Sequence, residues 1–252
     1  MKFADRDSRI EFNQRLIVQM VQAVVKAITE DAPQYRRDHH LETNNAANFI
    51  VGDYINENLR KLVASENVQL CGFQRFAWSG RFIIDNDKHT TYSVISASTL
   101  SEATKKRGNK PYYLDSFLNV ENNQCEGKQK QIVIEGYGFG NSLNNFTDEE
   151  YQQDYGQITQ GFIDNAEDYR HYILVYKAER SEIVDIRLLY LDKDYAIVDS
   201  IDLAEYIMPD FASLTAGDID MSEVNTKTDS PTVTLTIKAG IKPIPYVGAD
   251  EA

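Results

Sequence analysis

The sequence predicts an α+β fold, with N-terminal helices packed on a mixed, largely antiparallel sheet that ends in a three-strand meander. Three observations predict it. Two amphipathic helical patterns come first, over 8–30 and 43–63. Strand-like segments then follow one another through short polar turns, where a doubly wound fold would alternate strand with helix. Last, strand patterns at 171–178, 182–191 and 196–201 are joined by ERSE and DKDY, links too short for a crossover.

The elements follow in chain order. Ile10, Leu16, Ile17, Met20, Val21, Val24, Val25 and Ile28 recur at three- and four-residue spacing, which makes one apolar helix face. Asp7 or Ser8 is the expected cap, with Glu11 completing a capping box. Pro33 is expected to stop the helix, leaving APQYRRDHHLETNN as a polar link. Ala47, Ile50, Val51, Tyr54, Ile55, Leu59, Leu62 and Val63 stripe the second helix. VQLCGFQRF, RFIID and TTYSVISA read as strands, the last two joined by the turn NDKH, with Trp78 in the AWSG link. Short helices are expected at 99–107 and 112–119. Residues 121–130 read as a polar loop, and QIVIEGYGF as a strand entering a glycine-rich corner. Thr147 is placed to cap a helix beginning TDEEY, whose acids suit the positive end of the helix dipole. After the meander, DLAEYIM reads as a short helix, 209–230 as a loop and PTVTLTIK as a late strand. One domain is expected over 1–242, with a sub-boundary near 121–130 and a tail at 243–252.

Composition limits the class of protein. No apolar run approaches the roughly 18 residues that span a bilayer. The start, MKFADRDSRIEF, lacks the pattern of a signal peptide, so a cytoplasmic protein is expected. In that setting Cys71 and Cys125 are expected as separate reduced thiols. Four histidines, with no CxxC, HxxxH or CxxxC pair, give a structural zinc site too few ligands. No cofactor or metal is expected.

Charge is unevenly placed. Residues 1–130 carry 18 Lys and Arg against 16 Asp and Glu, whereas 131–252 carry 8 against 23. Within the acidic half, 131–169 holds eight acids and seven aromatics and no Lys or Arg. Such a segment repels phosphate, so no direct nucleic-acid binding is expected. It reads either as a solvated face over a core of aromatics or as a face that steers a basic protein partner. The candidate partner-binding residues are Asp148, Glu149, Glu150, Tyr151, Asp154 and Tyr155. The one basic run, KKRGNK at 105–110, is read as a cationic last helical turn ended by Gly108.

The motifs that carry chemistry are incomplete. His39 and His40 are adjacent, so they point to different sides of any regular element. Asp85, Asp87 and His89 are explained by a hairpin turn. A nuclease of the PD-(D/E)xK type would use Glu42 and Asp85, but the strand after Asp85 offers neither Glu nor Lys. Glu126-Gly127-Lys128 matches that tripeptide only in a polar loop, and GYGFGNS lacks the pattern of a phosphate loop.

The stretches GDYINENLRKL, GFQRFAWSGRFIIDNDKHTTYSVISAS, PYYLDSFL and HYILVYKAERSEIVDIRLLYLDKDYAIVDSIDLAEYI together resemble an uncharacterised family. That family comprises intracellular proteins of Gram-positive bacteria and their phages or mobile elements. The resemblance covers roughly 45–207 and implies a cytoplasmic, mobile-element setting. It supplies no catalytic residues. The expected function is a non-enzymatic acidic interaction protein, an inhibitor of a basic nucleic-acid-binding protein of a host defence system. The alternatives are a metal-dependent nuclease with a degenerate motif, or an oligomeric structural protein.

Overall fold

The computed structural model describes residues 10–40, 47–63, 67–75, 78–103, 110–125 and 146–207. All of them fall in the first of two compact units, Met1–Asp210, the second being Phe211–Ala252. The expected helix cap at Asp7 or Ser8, the strand at 131–139, the glycine-rich corner, the Gly108 stop, the late strand and the tail lie outside the described residues.

Six α-helices and six strands make up most of the described fold. They are α1 (Gln14–Lys26), α2 (Ala32–Asp38), α3 (Ala47–Leu62), β1 (Val68–Arg75), β2 (Trp78–Asp85), β3 (Thr90–Ser96), α4 (Ala97–Ala103), α5 (Tyr113–Glu121), α6 (Asp148–Thr159), β4 (Arg170–Glu179), β5 (Glu182–Leu191) and β6 (Ile197–Asp202). The strands form one mixed sheet in the order β1-β2-β3-β4-β5-β6. Every neighbouring pair is antiparallel except β3 and β4, which run parallel from Thr90–Arg170 to Ser96–Tyr176. A parallel pair needs a crossover, and the chain makes it through α4, α5 and α6. The fold is therefore α+β, with helices at the N-terminus, a mostly antiparallel sheet and a β4–β6 meander.

Strand periodicity assigns the two sheet faces. On β2, Phe82 and Ile84 face one way and Ile83 the other; on β4, Ile173 and Val175 oppose Tyr172 and Leu174. The first face packs against Leu100 of α4, Leu114 and Phe117 of α5, and Tyr151, Tyr155 and Ile158 of α6. The second packs against Leu16, Ile17, Met20 and Val21 of α1 and Ile55 and Leu59 of α3. Being covered on both faces, the inner strands read as unbroken apolar runs such as YILV and LLYL.

Three expectations are corrected. Asn13 caps α1, its side chain accepting the Leu16 N–H at 3.3 Å. Pro33 does not end the helical path. A π-helical segment, Ala27–Asp31, slips the ladder by one residue so that the Ala32 N–H bonds Ala27 O, and Pro33 then falls in the first turn of α2. A first-turn proline gives up no helical hydrogen bond. The APQYRRD segment is therefore helix, not link. Trp78 begins β2, paired with Arg75, instead of lying between strands.

Candidate functional site

The capping box at the start of α6 fixes the orientation of the acidic segment. The Thr147 hydroxyl accepts the Glu150 N–H at 3.3 Å, and the Glu150 carboxylate accepts the Thr147 N–H at 2.8 Å. From this start, helical period decides which side chains turn inward. Tyr151, Asp154, Tyr155 and Ile158 share the buried stripe, whereas Asp148, Glu149, Glu150, Gln152, Gln153 and Gln157 stay exposed.

The six candidate partner-binding residues thus separate by role. Asp148, Glu149 and Glu150 lie on the surface, available to a partner. Tyr151, Asp154 and Tyr155 are buried and hold α6 to the fold. Asp154 accepts hydrogen bonds from the Arg75 guanidinium of β1 and the Ser116 hydroxyl of α5. The Tyr155 hydroxyl donates to Glu121 at 2.7 Å, and Tyr151 packs edge-on against Phe146.

The face continues past the helix. Gln160 takes a left-handed conformation at φ 51°, Gly161 follows at φ 79°, and the chain reverses. The reversal leaves Phe162 half-exposed at 53%, flanked by exposed Asp164, Glu167 and Asp168. Sequence reading counted these acids but did not place Phe162 on the surface. Its spacing from Tyr151, Tyr155 and Ile158 continues the buried stripe, and only the left-handed reversal at Gln160 and Gly161 takes it to the surface. The described part of this face presents six exposed carboxylates, several amides and one aromatic ring, with no cation between Thr147 and Tyr169.

A second feature was invisible in the sequence. Beneath α6, Thr91 of β3, Glu121 of α5 and His171 of β4 meet in the interior. Thr91 Oγ1 lies 2.5 Å from Glu121 Oε2 and 2.7 Å from His171 Nδ1. Burial pushes the Glu121 carboxyl up to about 8, and burial drives the His171 imidazole down to about 3. The Thr91 hydroxyl donates to Glu121 Oε2 and lies within hydrogen-bond distance of His171 Nδ1 on its other side. The ring stacks on Phe117 at 4.4 Å, and Asn122 bonds the His171 backbone through both its N–H and its carbonyl. No local pattern marks this group, because its members come from three elements far apart in the chain.

The other chemical candidates find structural explanations. Asp85 is fully buried, and its Oδ1 accepts the N–H groups of Asp87 and Lys88 at 3.1 and 3.3 Å, which caps the β2–β3 turn. His39 stacks on Tyr35 at the end of α2, and His40 is exposed. Glu42 and Glu126–Lys128 lie outside the described residues. Among the described residues no group of three or more His, Cys, Asp or Glu side chains could hold a metal ion. Both thiols are free; burial raises Cys71 to about 11, and Cys125 contacts the Tyr190 hydroxyl.

These features define an α+β protein whose sheet is covered on both faces and whose sixth helix turns a carboxylate-rich surface outward. The chain belongs to the DUF5986 family, a family of unknown function, which it matches over residues 9–244. None of the curated proteins and none of the solved structures matches it. No helix among the described residues is long and apolar enough to cross a membrane.

Proposed function

We propose that this is a non-enzymatic interaction protein whose α6 face engages a basic protein. The observation that supports it is the exposed side of residues 148–168: six exposed carboxylates and the half-exposed Phe162, with no cation in this stretch. Unlike charges steer the encounter, and an aromatic ring supplies contact area once the partner arrives. The setting that goes with this reading is the cytoplasm of a Gram-positive bacterium, with the chain carried by a phage or mobile element. The partner class is then a basic, nucleic-acid-binding component of host defence, occupied by a surface that resembles its ligand in charge.

The test is affinity capture from host lysate with the wild-type chain and a variant carrying Asp148→Asn, Glu149→Gln and Glu150→Gln. Gln at 150 still closes the capping box, so α6 keeps its start. A basic protein captured by the wild type, weakened by added salt and lost with the triple variant supports the reading. Equal capture by both chains, or capture only of acidic proteins, overturns it.

A further inference from the structure

At the end of the sheet where β3 and β4 finish, a groove of about 1550 Å³ opens between the two helical layers. One wall comes from α2 and α3, the other from α4 with Tyr112 and Tyr113, and the strand ends form its floor. Its charge is opposite to that of the chain. Among the described residues Arg36, Arg75, Arg81, Lys177 and Arg180 line it against only Asp53 and Glu102, in a protein of net charge −13. Arg75 is held by Asp154, and Lys177 lies 3.0 Å from Glu179. Arg36, Arg81 and Arg180 have no ion-pair partner among the described residues.

The groove also displays planar rings. Phe49 on the α3 wall is 72% exposed and Trp78 at the start of β2 is 44% exposed. Trp78 is held in place by Phe73 and Tyr113, each with ring centroids 5.5 Å away. Gly80 makes this possible, because a Cβ there would lie 2.6 Å from both the Trp78 and the Phe73 rings.

We propose that this groove binds single-stranded nucleic acid. Cations without partners attract a phosphate backbone, and exposed rings offer stacking surfaces to unpaired bases. The groove's volume exceeds the roughly 300–1,000 Å³ typical of sites for small molecules, which favours an extended chain. A purely acidic peptide such as poly-glutamate would use the arginines but has no ring to stack on the open aromatic faces. The cations come from five separate elements and turns, so no run in the sequence announces them. The net charge of −13 hides them as well. The groove shares no residue with the α6 face, so its fate is separate from the reading above.

Trp78 is the only tryptophan in the chain, so its fluorescence reports on this groove alone. The full chain is titrated with oligo(dT) and oligo(U) of about 12 nucleotides, a length within the usual range of single-strand sites. Saturable quenching at about 50 mM salt is expected, with a dissociation constant of about 10⁻⁴–10⁻⁶ M. The logarithm of affinity should fall with the logarithm of salt at a slope of about −2, from three cations at about −0.7 each. The double variant Arg36→Gln/Arg180→Asn should weaken binding at least about tenfold and flatten the slope by about 1.4. Asn suits the left-handed backbone at 180, φ 51°, so this variant should keep its melting temperature. Trp78→Ala, followed by anisotropy of labelled oligonucleotide, should also weaken binding about tenfold. Absence of quenching and of any anisotropy change up to about 100 μM overturns the proposal. So does binding that the arginine pair leaves unchanged. Poly-glutamate of equal length binding as tightly as oligo(dT) also overturns it, in favour of an acidic-peptide site.

Discussion

Burial holds the Glu121 carboxyl at about 8 and the His171 imidazole at about 3, and Thr91 joins them. The two shifts act on stability in opposite senses. Glu121 binds its proton more tightly folded than unfolded, so its contribution is complete below its ordinary 4.5 and is lost as pH rises to about 8. His171 stays neutral when folded, so its contribution is complete above its ordinary 6.5 and is lost as pH falls toward about 3. Together they make stability flat between 4.5 and 6.5 and decreasing on either side. Above 6.5 the loss is up to about 1.4 kcal/mol per pH unit, or about 2–4 °C in Tm for each kcal/mol. Glu121→Gln mimics the protonated acid and should remove the decline between pH 6.5 and 8, checked by melting both proteins across that range. A variant as pH-sensitive as the wild type would show that Glu121 is not the group being titrated. Asp154 carries a second residue-scale expectation. Its loss strands the Arg75 guanidinium in a largely buried site, so Asp154→Ala should cost about 3–5 kcal/mol in denaturant unfolding.

At the scale of elements, local chemistry accounts for where helices and turns begin. The Thr147–Glu150 capping box starts α6, and Thr147→Ala should cost about 1 kcal/mol, measured by urea titration. The β4–β5 hairpin turns on Arg180 and Ser181, at φ 51° and 68°, a two-residue turn with both central residues left-handed. Asn-Gly suits that turn better than Arg-Ser, because left-handed backbone strains residues that carry a Cβ. Arg180→Asn/Ser181→Gly should therefore raise stability by about 1 kcal/mol. A drop on that substitution would mean that the native side chains hold the turn by contacts that outweigh its strain. Helix α1 shows the opposite case, in which a strong local signal gave way. Pro33 predicts a stop, yet the π-helical slip before it lets the chain stay helical to Asp38, keeping Ala27, Ile28 and Ala32 buried.

For the molecule as a whole, one sheet with a helical layer on each face closes two apolar cores within residues 10–207. A chain ending at residue 210 should therefore unfold in one cooperative transition with its Tm within a few degrees of the full chain; this size of change corresponds to about 1 kcal/mol. Loss of cooperativity on that truncation would show that later residues complete the core. Surface charge is divided at this scale too: the α6 face is uniformly acidic, whereas the groove at the β3–β4 strand ends is lined mostly by cations.

The sequence by itself determined what depends on near neighbours. Apolar spacing in 14–28 marks the helix face, ERSE and DKDY impose the antiparallel meander, and Thr147 with Glu150 announces the start of α6. It also determined that Asp148, Glu149 and Glu150 form an acidic first turn. Only the tertiary structure decided the rest, because the deciding contacts join residues far apart in the chain. The parallel β3–β4 pairing depends on a crossover whose ends are brought together by packing. Whether Tyr151, Asp154 and Tyr155 serve the surface or the core depends on Arg75, Ser116 and Glu121, which meet them only after folding. The groove's charge is likewise a sum over side chains from α2, β1, β2, β4 and a turn, a sum that no window along the chain contains.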